Sequence, residues 1–302
     1  MLGHRVMATS SVYTGNIAEG RTHYDQAVAL YDPATHLPLS TRFGQDIRVV
    51  ILCQRSLALW LLGYPDSALA DAEHALKHGR KINQAATLMY ALYFGRWTHF
   101  HCGIYAAVNA QLDELVALVY EKGAEGWKGL GISFQGCALV PTGKAADAVH
   151  VIASGLAEFR SIGGTLFAPL YISYLAAAHA DLGQFDEAWR CIGEAMKMIE
   201  TAKERWFEAE ANRVAGEIAL KSPEPDSVSA EAYFERALAV ARRQRAKSWE
   251  LRAAMSMARL WRDQGKSPQA RELLAPVYGW FTEGFDTIDL KDAKALLDAL
   301  SS

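Results

Sequence analysis

The sequence has few of the residues that interrupt helices or build covalent frameworks. Its 302 residues include nine prolines and four cysteines, and 51% of them are hydrophobic. Proline is the residue that most strongly breaks a helix, so its scarcity beside this much apolar material indicates a helical protein with an ample core. The composition does not change along the chain, which favours one elongated domain over residues 1–302.

The four cysteines are too far apart to form the frameworks for which cysteine clusters are known. Cys53, Cys102, Cys137 and Cys191 each lie in a different part of the chain, and no C-x-x-C pair occurs. Metal sites generally use such close pairs, and small secreted domains use dense cysteines as disulfides. We interpret all four as reduced thiols that pack as small hydrophobic side chains.

The chain also lacks a charge excess and a long apolar run. Its formal net charge is −3, so there is no global basic field to attract nucleic acid. Apolar runs such as Leu57 to Leu62 are far below the roughly 18 residues that cross a membrane. The N-terminus has no signal-peptide apolar segment. We therefore expect no membrane or nucleic acid partner and a cytoplasmic location.

Sequence motifs of catalysis are missing as well. The chain has neither a G-x-x-x-x-G-K-[ST] phosphate loop nor a G-x-S-x-G nucleophile elbow. The glycine-rich segment 126–131 follows no strand pattern, and we interpret it as a helix start. His74 and His78 could share a metal on one helix face, but no third ligand accompanies them, so solvated histidines are the preferred interpretation. We expect no enzyme, no metal and no cofactor.

What the chain does have is a regular spacing of glycines. The marker glycines are Gly15, Gly63, Gly103, Gly143, Gly183 and Gly265. From Gly63 to Gly183 they are evenly spaced, whereas the first interval is somewhat longer and the last is about double. Five positions after each stands a small or aliphatic residue, and Ala230 supplies the one missing position. A fixed period of about 40 positions is typical of a solenoid, in which each unit buries its apolar face against its neighbours.

The sequence around Gly183 shows what one unit contains. Apolar residues recur at helical spacing from Tyr171 to Leu182, Gly183 ends the helix, and Phe185 opens a second helix. This predicts a helical hairpin. The predicted units cover about 1–31, 48–80, 85–122, 127–160, 166–200, 206–244 and 248–281, with a capping helix over 288–300. The fold class is therefore all-α, a right-handed superhelical solenoid of seven hairpins closed by a capping helix.

The turn of the fifth unit resembles a known repeat. Gly183-Gln184-Phe185-Asp186-Glu187-Ala188 is similar to the Gly-Asp-Tyr-Asp-Glu-Ala pattern of the tetratricopeptide repeat, and Tyr24, Phe234, Ala27, Ala75, Ala195 and Ala237 occupy its aromatic and second alanine positions. The resemblance spans about residues 3–281. The period of about 40 exceeds the family's period of about 34, and the tryptophan and tyrosine of the family's first helix are mostly replaced.

Several longer strings resemble one group of repeat proteins more narrowly. Leu62–Asp66, Ala29–Pro33, Ala246–Ala254 and Tyr278–Thr287 look like the C-terminal repeat region of bacterial signalling proteins that carry an adenylate cyclase or DNA-binding domain before a regulatory ATPase domain. The resemblance implies a regulatory module. No cyclase or ATPase motif is present in this chain, so no catalytic residue follows from it.

In the tetratricopeptide family the first helix of each unit lines a concave groove, which implies where a partner binds. Counting the marker glycine as position 15, positions 2, 5, 9 and 12 face the groove. In the third unit these positions hold Tyr90, Tyr93, Trp97 and Phe100. In the seventh unit they hold Arg252, Met255 and Arg259. The sixth unit has no marker glycine, and anchoring it on Gly216 gives Glu210, Arg213 and Glu217. Core packing of the aromatic residues and surface ion pairing of the charged ones are the preferred alternatives to a binding role.

These observations lead to a functional hypothesis. We expect a non-catalytic module that binds a protein partner or a small effector in the groove, as the regulatory part of a bacterial signalling protein. The partner could be upstream domains of its own parent protein. The alternative is a structural scaffold that forms a homodimer through the exposed first hairpin. The lysine and asparagine positions that clamp a terminal carboxylate in chaperone-binding relatives hold Ser133 and Ala177, so a peptide C-terminus is not the expected ligand.

Overall fold

The computed structural model describes residues 1–301, apart from the side chain of residue 125. Over this range the chain forms helices and short connections, with no β-strand. In chain order the helices are α1 (Leu2–Tyr13), α2 (Ile17–Ala29), α3 (Pro33–His36), α4 (Leu39–Phe43), α5 (Ile47–Leu61), α6 (Pro65–Ile82), α7 (Ala85–His101), α8 (Tyr105–Lys122), α9 (Glu125–Leu139), α10 (Ala145–Ser161), α11 (Ala168–Asp181), α12 (Phe185–Ala202), α13 (Glu208–Lys221), α14 (Ser227–Gln244), α15 (Lys247–Asp263), α16 (Ser267–Tyr278) and α17 (Ile288–Ala299).

Fourteen of these helices form seven hairpins in a tetratricopeptide-type solenoid, which confirms the predicted fold class. The hairpins are α1–α2, α5–α6, α7–α8, α9–α10, α11–α12, α13–α14 and α15–α16. Helices α3 and α4 lie between the first two hairpins and account for the longer first interval between marker glycines. At the other end, α17 buries Leu290, Ala293 and Leu296 against the last hairpin, as expected of a capping helix.

The marker glycines make the turns inside the hairpins. All six adopt a positive φ, between 73° and 93°, a backbone conformation in which a Cβ atom is costly. The small residue five positions later is buried in every unit, where the second helix of the hairpin crosses the first. At Gly20 a Cβ atom would lie 2.5 Å from the Val12 side chain. The period in the sequence therefore reflects one turn geometry and one close helix contact.

A second series of residues with left-handed backbone conformation follows the second helices of hairpins two to six. It consists of Asn83, Gly123, Gly163, Lys203 and Arg245, all with positive φ, and it follows the same period as the marker glycines. Three of these positions hold amino acids other than glycine. The sequence therefore does not display this series, although the turns between hairpins repeat as regularly as the turns within them.

The solenoid is so tightly coiled that its early hairpins contact its late ones. The backbone N–H of Arg205 donates to the Tyr13 carbonyl (2.7 Å), and the Ser248 hydroxyl donates to the Trp60 carbonyl. Further along, Gly103 lies directly against Ile288. Each of these contacts joins parts of the chain that are between four and five repeats apart. We call this line of contacts the closure seam.

Closure fills the interior of the coil with aromatic side chains. The Trp97 ring lies 4.8 Å from Phe167 and 5.4 Å from Trp206, and the Trp60 and Trp249 rings meet at 4.7 Å. These rings come from hairpins two, three, five, six and seven, and all five are almost fully buried. Burial of large aromatic rings is a major source of apolar stabilisation, so the inner surface of the coil serves here mainly as core.

Arg96 is buried in this core without a carboxylate partner. Its guanidinium lies over the rings of Tyr93 and Phe134, 4.0 and 4.1 Å from their centroids. One nitrogen donates to the Leu92 carbonyl (3.3 Å), whereas Nε and Nη2 have no hydrogen-bond partner among the described residues. Burial lowers the pKa of Arg96 to about 10, so the side chain remains a cation at neutral pH, held by the faces of two rings.

His101 lies in the closure seam and is buried as a neutral ring. Its imidazole stacks on Trp60 with centroids 4.2 Å apart, and neither ring nitrogen has a hydrogen-bond partner among the described residues. Burial, and after it the positive charge of Arg252, holds the pKa of His101 well below its usual range. Protonation of this ring is therefore favoured in the unfolded chain over the folded one.

We predict that the closure seam makes Gly63→Ala more damaging than Gly183→Ala. Both glycines have positive φ, so each alanine costs about 1–2 kcal/mol of backbone strain. A Cβ atom at Gly63 would also meet Trp280 at 2.5 Å and Lys247 at 2.8 Å, while nothing lies within 4 Å of the corresponding atom at Gly183. Denaturant unfolding of both variants measures the difference, and equal losses of stability would contradict the seam.

We also predict that His101 makes stability depend on pH. Because its pKa is lower in the folded chain, the stabilising contribution is complete above the unfolded pKa of about 6.5 and is lost as the pH falls below it. As the pH falls below about 6.5, the wild type should lose stability more steeply than His101→Phe, by at most about 1.4 kcal/mol per pH unit. Exposed His74→Gln serves as the control. Parallel pH profiles for the wild type and His101→Phe would refute the prediction.

Candidate functional site

One pocket of about 280 Å³ remains open inside the closed coil. It lies where α7, α11, α13 and α15 meet α17, beside the 3₁₀ turn Val140–Thr142. Its apolar surface comes from aromatic and aliphatic side chains, namely Phe100, Tyr105, Val140, Pro141, Phe207, Val214, Met255 and Ile288. Its polar surface comes from three arginines and three carboxylates. A mainly apolar cavity with a few converging polar groups is the usual form of a ligand site.

Arg213 is held by three neighbours on one side of the pocket. It makes a bidentate ion pair with Glu210, with both N···O distances at 2.8 Å. It also donates to Glu217 (3.2 Å) and to the Ser256 hydroxyl (3.3 Å). Glu210 and Glu217 lie three residues before and four after Arg213 on α13, so the helix itself places both carboxylates beside the guanidinium.

Arg252 connects the pocket to the closure seam. Its Nε donates to Asp289 on α17 (2.8 Å), and its Nη2 donates to the His101 carbonyl (3.1 Å). Its guanidinium also lies 5.2 Å from the rings of both Trp60 and Trp249. One side chain of α15 thus contacts α5, α7 and α17, which come from opposite ends of the chain.

Ion pairing keeps Glu210, Arg213 and Arg252 ionised despite their burial. Burial alone would raise the pKa of Glu210, but Arg213 and Arg252 outweigh it and the pKa is lowered. Burial likewise opposes the charge on Arg252, but Asp289 and Glu210 raise its pKa above the usual range. For Asp289 burial dominates, and its pKa is raised despite the ion pair with Arg252.

Two charged residues of the pocket have no partner among the described residues. Arg259, one turn further along α15 than Met255, is half-buried and makes no hydrogen bond or ion pair there. Asp292 on α17 is exposed at the rim and is equally unpaired. The hydroxyl of Tyr174 lines the pocket without a described hydrogen bond, and burial raises its pKa. These groups are available to a ligand.

The structure brings together six of the ten predicted groove residues. Phe100, Glu210, Arg213, Arg252, Met255 and Arg259 line the pocket. Glu217 stands just behind them, bonded to Arg213 and to Ser256 (2.6 Å). The other three lie in the core: Tyr93 and Trp97 are almost fully buried, and half-buried Tyr90 accepts a hydrogen bond from Gln54 (2.8 Å). Of the third hairpin's predicted aromatic residues, Phe100 alone lines the pocket.

Several residues of the pocket were not among the predicted ones. Ser173, Ala177 and Val140 line it at positions 5 and 9 of the fifth unit and position 12 of the fourth, so the counting rule that selected the other units would have found them. No sequence pattern marks Asp289 as a pocket residue, because it reaches the pocket only through the packing of α17 against α15.

The two histidines of α6 lie at a different place on the surface. His74 and His78 line a separate shallow pocket with Arg48, Lys77 and Lys81. His78 Nε2 is 3.8 Å from an oxygen of Asp46. Across the described part of the chain, no group of three histidine, cysteine, aspartate or glutamate side chains is placed to hold a metal ion. The four cysteines are buried and unpaired.

A search for helices able to cross a bilayer found none among the residues described, since no helix is both long and apolar enough.

Comparison with known proteins gives no match by sequence and several matches by structure. No protein-family model matches the chain, and no curated protein matches it. Among solved structures, the Rap conjugation gene regulator of the plasmid pLS20 in complex with the Phr* peptide has a TM-score of 0.66 at 10% identity, over 99% of this chain and 74% of that one.

Two further structures are similar over the same span. A Rap protein complexed with Competence and Sporulation Factor has a TM-score of 0.63 at 11% identity, covering 99% of this chain and 79% of that one. The apo form of RapI has a TM-score of 0.60 at 11% identity, covering 99% and 98%. At such identities the likeness concerns the fold alone. This chain is a tetratricopeptide-like repeat protein in architecture.

Proposed function

We propose that this protein is a non-catalytic interaction module that binds a segment of a protein partner in the pocket between α11, α13 and α15. The observation that carries the proposal is the pocket itself, which remains open inside a coil that is otherwise filled with aromatic side chains. Closure of the coil could have filled this space with another large residue. Instead the pocket presents unpaired polar groups beside an apolar surface.

The residue types in the pocket fit a protein ligand. Aromatic residues, methionine and arginine carry much of the binding energy in protein interfaces, and Phe100, Phe207, Met255 and Arg259 supply them here. The volume is at the lower end for small-molecule pockets, which run from about 300 Å³. A cavity of this size accepts one or two anchoring side chains, while the rest of the partner lies across the opening.

The structural neighbours support the same class of function. Two of the similar solved structures contain their Rap protein together with a bound peptide or factor, by their own descriptions. The present chain shares their fold over almost its whole length. We propose that it shares the general use of that fold, which is to bind another polypeptide.

The pocket offers no arrangement for covalent catalysis. Ser173, the serine among its described lining residues, donates its hydroxyl to the Pro169 carbonyl (2.7 Å) and has no histidine beside it. The carboxylates Glu210 and Asp289 are held by arginines instead of facing one another as an acid and base pair. Both observations support binding as the function.

A finer hypothesis concerns the setting of the module. The strings Ala246–Ala254 and Tyr278–Thr287 resemble bacterial signalling proteins with cyclase or ATPase domains, and we propose that this chain serves as a regulatory module of that kind in the cytoplasm. The buried, unpaired cysteines support a reducing compartment. A small effector in the same pocket would act on the closure seam through Arg252, which contacts both.

We predict that filling the pocket abolishes peptide binding. A library of short random peptides is selected on the wild type, and the affinities of the selected peptides are then measured for Ala177→Phe, whose new ring enters the pocket. Affinity should fall at least tenfold, about 1.4 kcal/mol. Ala70→Phe, exposed on α6, should bind like the wild type. Selected peptides that bind Ala177→Phe equally well would show that the pocket is not the binding site.

A structural scaffold is the second candidate, and one surface favours it. Helix α1 exposes Leu2, Val6 and Met7, at 37%, 55% and 51% of their surface. These residues share one face of the first hairpin, and a face of this kind can pair with its copy about a two-fold axis.

If the protein is a scaffold of this kind, light scattering should give twice the chain mass, and Val6→Lys should reduce it to the single chain mass. The lysine places two like charges in the paired face. A single chain mass for the wild type at high micromolar concentration would rule the scaffold out and leave the binding module.

A further inference from the structure

We infer that the pocket recognises a compact ligand group with one carboxylate and an apolar body, and that Arg259 binds the carboxylate. The inference rests on the proposed function, because it takes the pocket as the binding site and names the chemistry that the site selects. It follows from which charges in the pocket are already paired and which remain free.

Three arginines line the pocket, and two of them are paired with carboxylates of the protein. Arg213 donates four hydrogen bonds, two to Glu210, one to Glu217 and one to Ser256. Arg252 donates hydrogen bonds to Asp289 and to the His101 carbonyl, and its contacts with the Trp60 and Trp249 rings hold it in the closure seam. Arg259 remains, half-buried against the pocket and without a hydrogen bond from the described residues. A partly desolvated guanidinium gains most from a bidentate oxyanion partner.

The charge of the pocket limits that anion to a single negative charge. Its lining carries three arginines and three carboxylates, Glu210, Asp289 and Asp292, so the formal sum is zero. A phosphate ester or a polyphosphate would bring two or more negative charges close to three carboxylates, of which Asp292 has no described partner. A carboxylate satisfies Arg259 with the least repulsion.

The apolar surface defines the rest of the ligand group. Phe100, Phe207, Val214 and Met255 form a surface to which an aliphatic or aromatic body can pack. The volume of about 280 Å³ lies at the lower end for ligand pockets, which run from about 300 Å³, and suits a compact group. The hydroxyls of Tyr105 and Tyr174, which have no described partner, can bond a backbone amide of such a group.

The same chemistry could come from a residue of a peptide or from a free aromatic or aliphatic acid. Ligand-observed NMR titration of the wild type distinguishes them with matched pairs. One pair is N-acetyl-L-phenylalanine and its primary amide, and the other is 3-phenylpropionate and 3-phenylpropanamide. We expect each acid to bind at least tenfold more tightly than its amide. Tighter binding of the acetylated amino acid than of the plain acid identifies the C-terminal residue of a peptide as the source, contrary to the expectation from the sequence, and the reverse order identifies a free acid.

Variants of α15 then assign the preference to one side chain. Arg259→Gln should bring the acid and amide affinities within threefold of each other, and Arg259→Lys should retain part of the preference. Arg262→Gln, whose wild-type side chain pairs with Asp263 outside the pocket, is the matched control and should keep the full preference. Phenyl phosphate should bind more weakly than 3-phenylpropionate, because the carboxylates repel its second charge.

Several results would overturn the inference. They are amides that bind the wild type as tightly as acids, a carboxylate preference that survives Arg259→Gln, tighter binding of phenyl phosphate, and absence of binding by both acids. If peptides selected on the wild type still lose affinity for Ala177→Phe in any of these cases, the pocket remains a binding site and only its carboxylate chemistry is refuted. If the selected peptides bind Ala177→Phe as tightly as the wild type, the proposed function is refuted as well.

Discussion

Trp60 and Ser248 lie at opposite ends of the chain, yet the carbonyl of one accepts a hydrogen bond from the hydroxyl of the other. Beside this bond the Trp60 ring packs against Trp249 and stacks on His101. The rest of the structure depends on this meeting of the second and seventh hairpins. It turns a linear stack of repeats, each touching only its neighbours, into a coil whose early and late repeats share one core.

Closure decides what the inner surface of the solenoid can do. In an open coil, Trp97, Phe134 and Trp206 would line a groove; here they contact one another, and little of the inner surface remains accessible. The space that remains is the pocket at the ends of α7 and α11, where α17 approaches. The binding that we propose would therefore concentrate in this one open pocket, whose wall includes Arg252, a residue of the closure seam. A ligand there contacts the same elements that hold the coil closed.

Much of the local structure was predictable because it depends on short-range chemistry. Glycine tolerates positive φ, so Gly63 and Gly183 mark their turns in the sequence as well as in the structure. The turns at Lys203 and Arg245 have the same geometry, but side chains other than glycine occupy them, and the sequence contains no sign of them. The rule that positions 2, 5, 9 and 12 face the groove found pocket residues in α13 and α15. It also placed Tyr93 and Trp97 on the groove surface, which closure of the coil converts into core.

The sequence by itself determined the number of hairpins, the position of the turn within each hairpin and the face of each first helix that points inward, because these follow from the periodicity within a single repeat. The tertiary structure alone decided how tightly the hairpins coil, since that depends on small rotations between units which add up over successive repeats. It therefore also decided that Asp289 pairs with Arg252, that Arg259 is left without a partner among the described residues, and that the pocket lies between them.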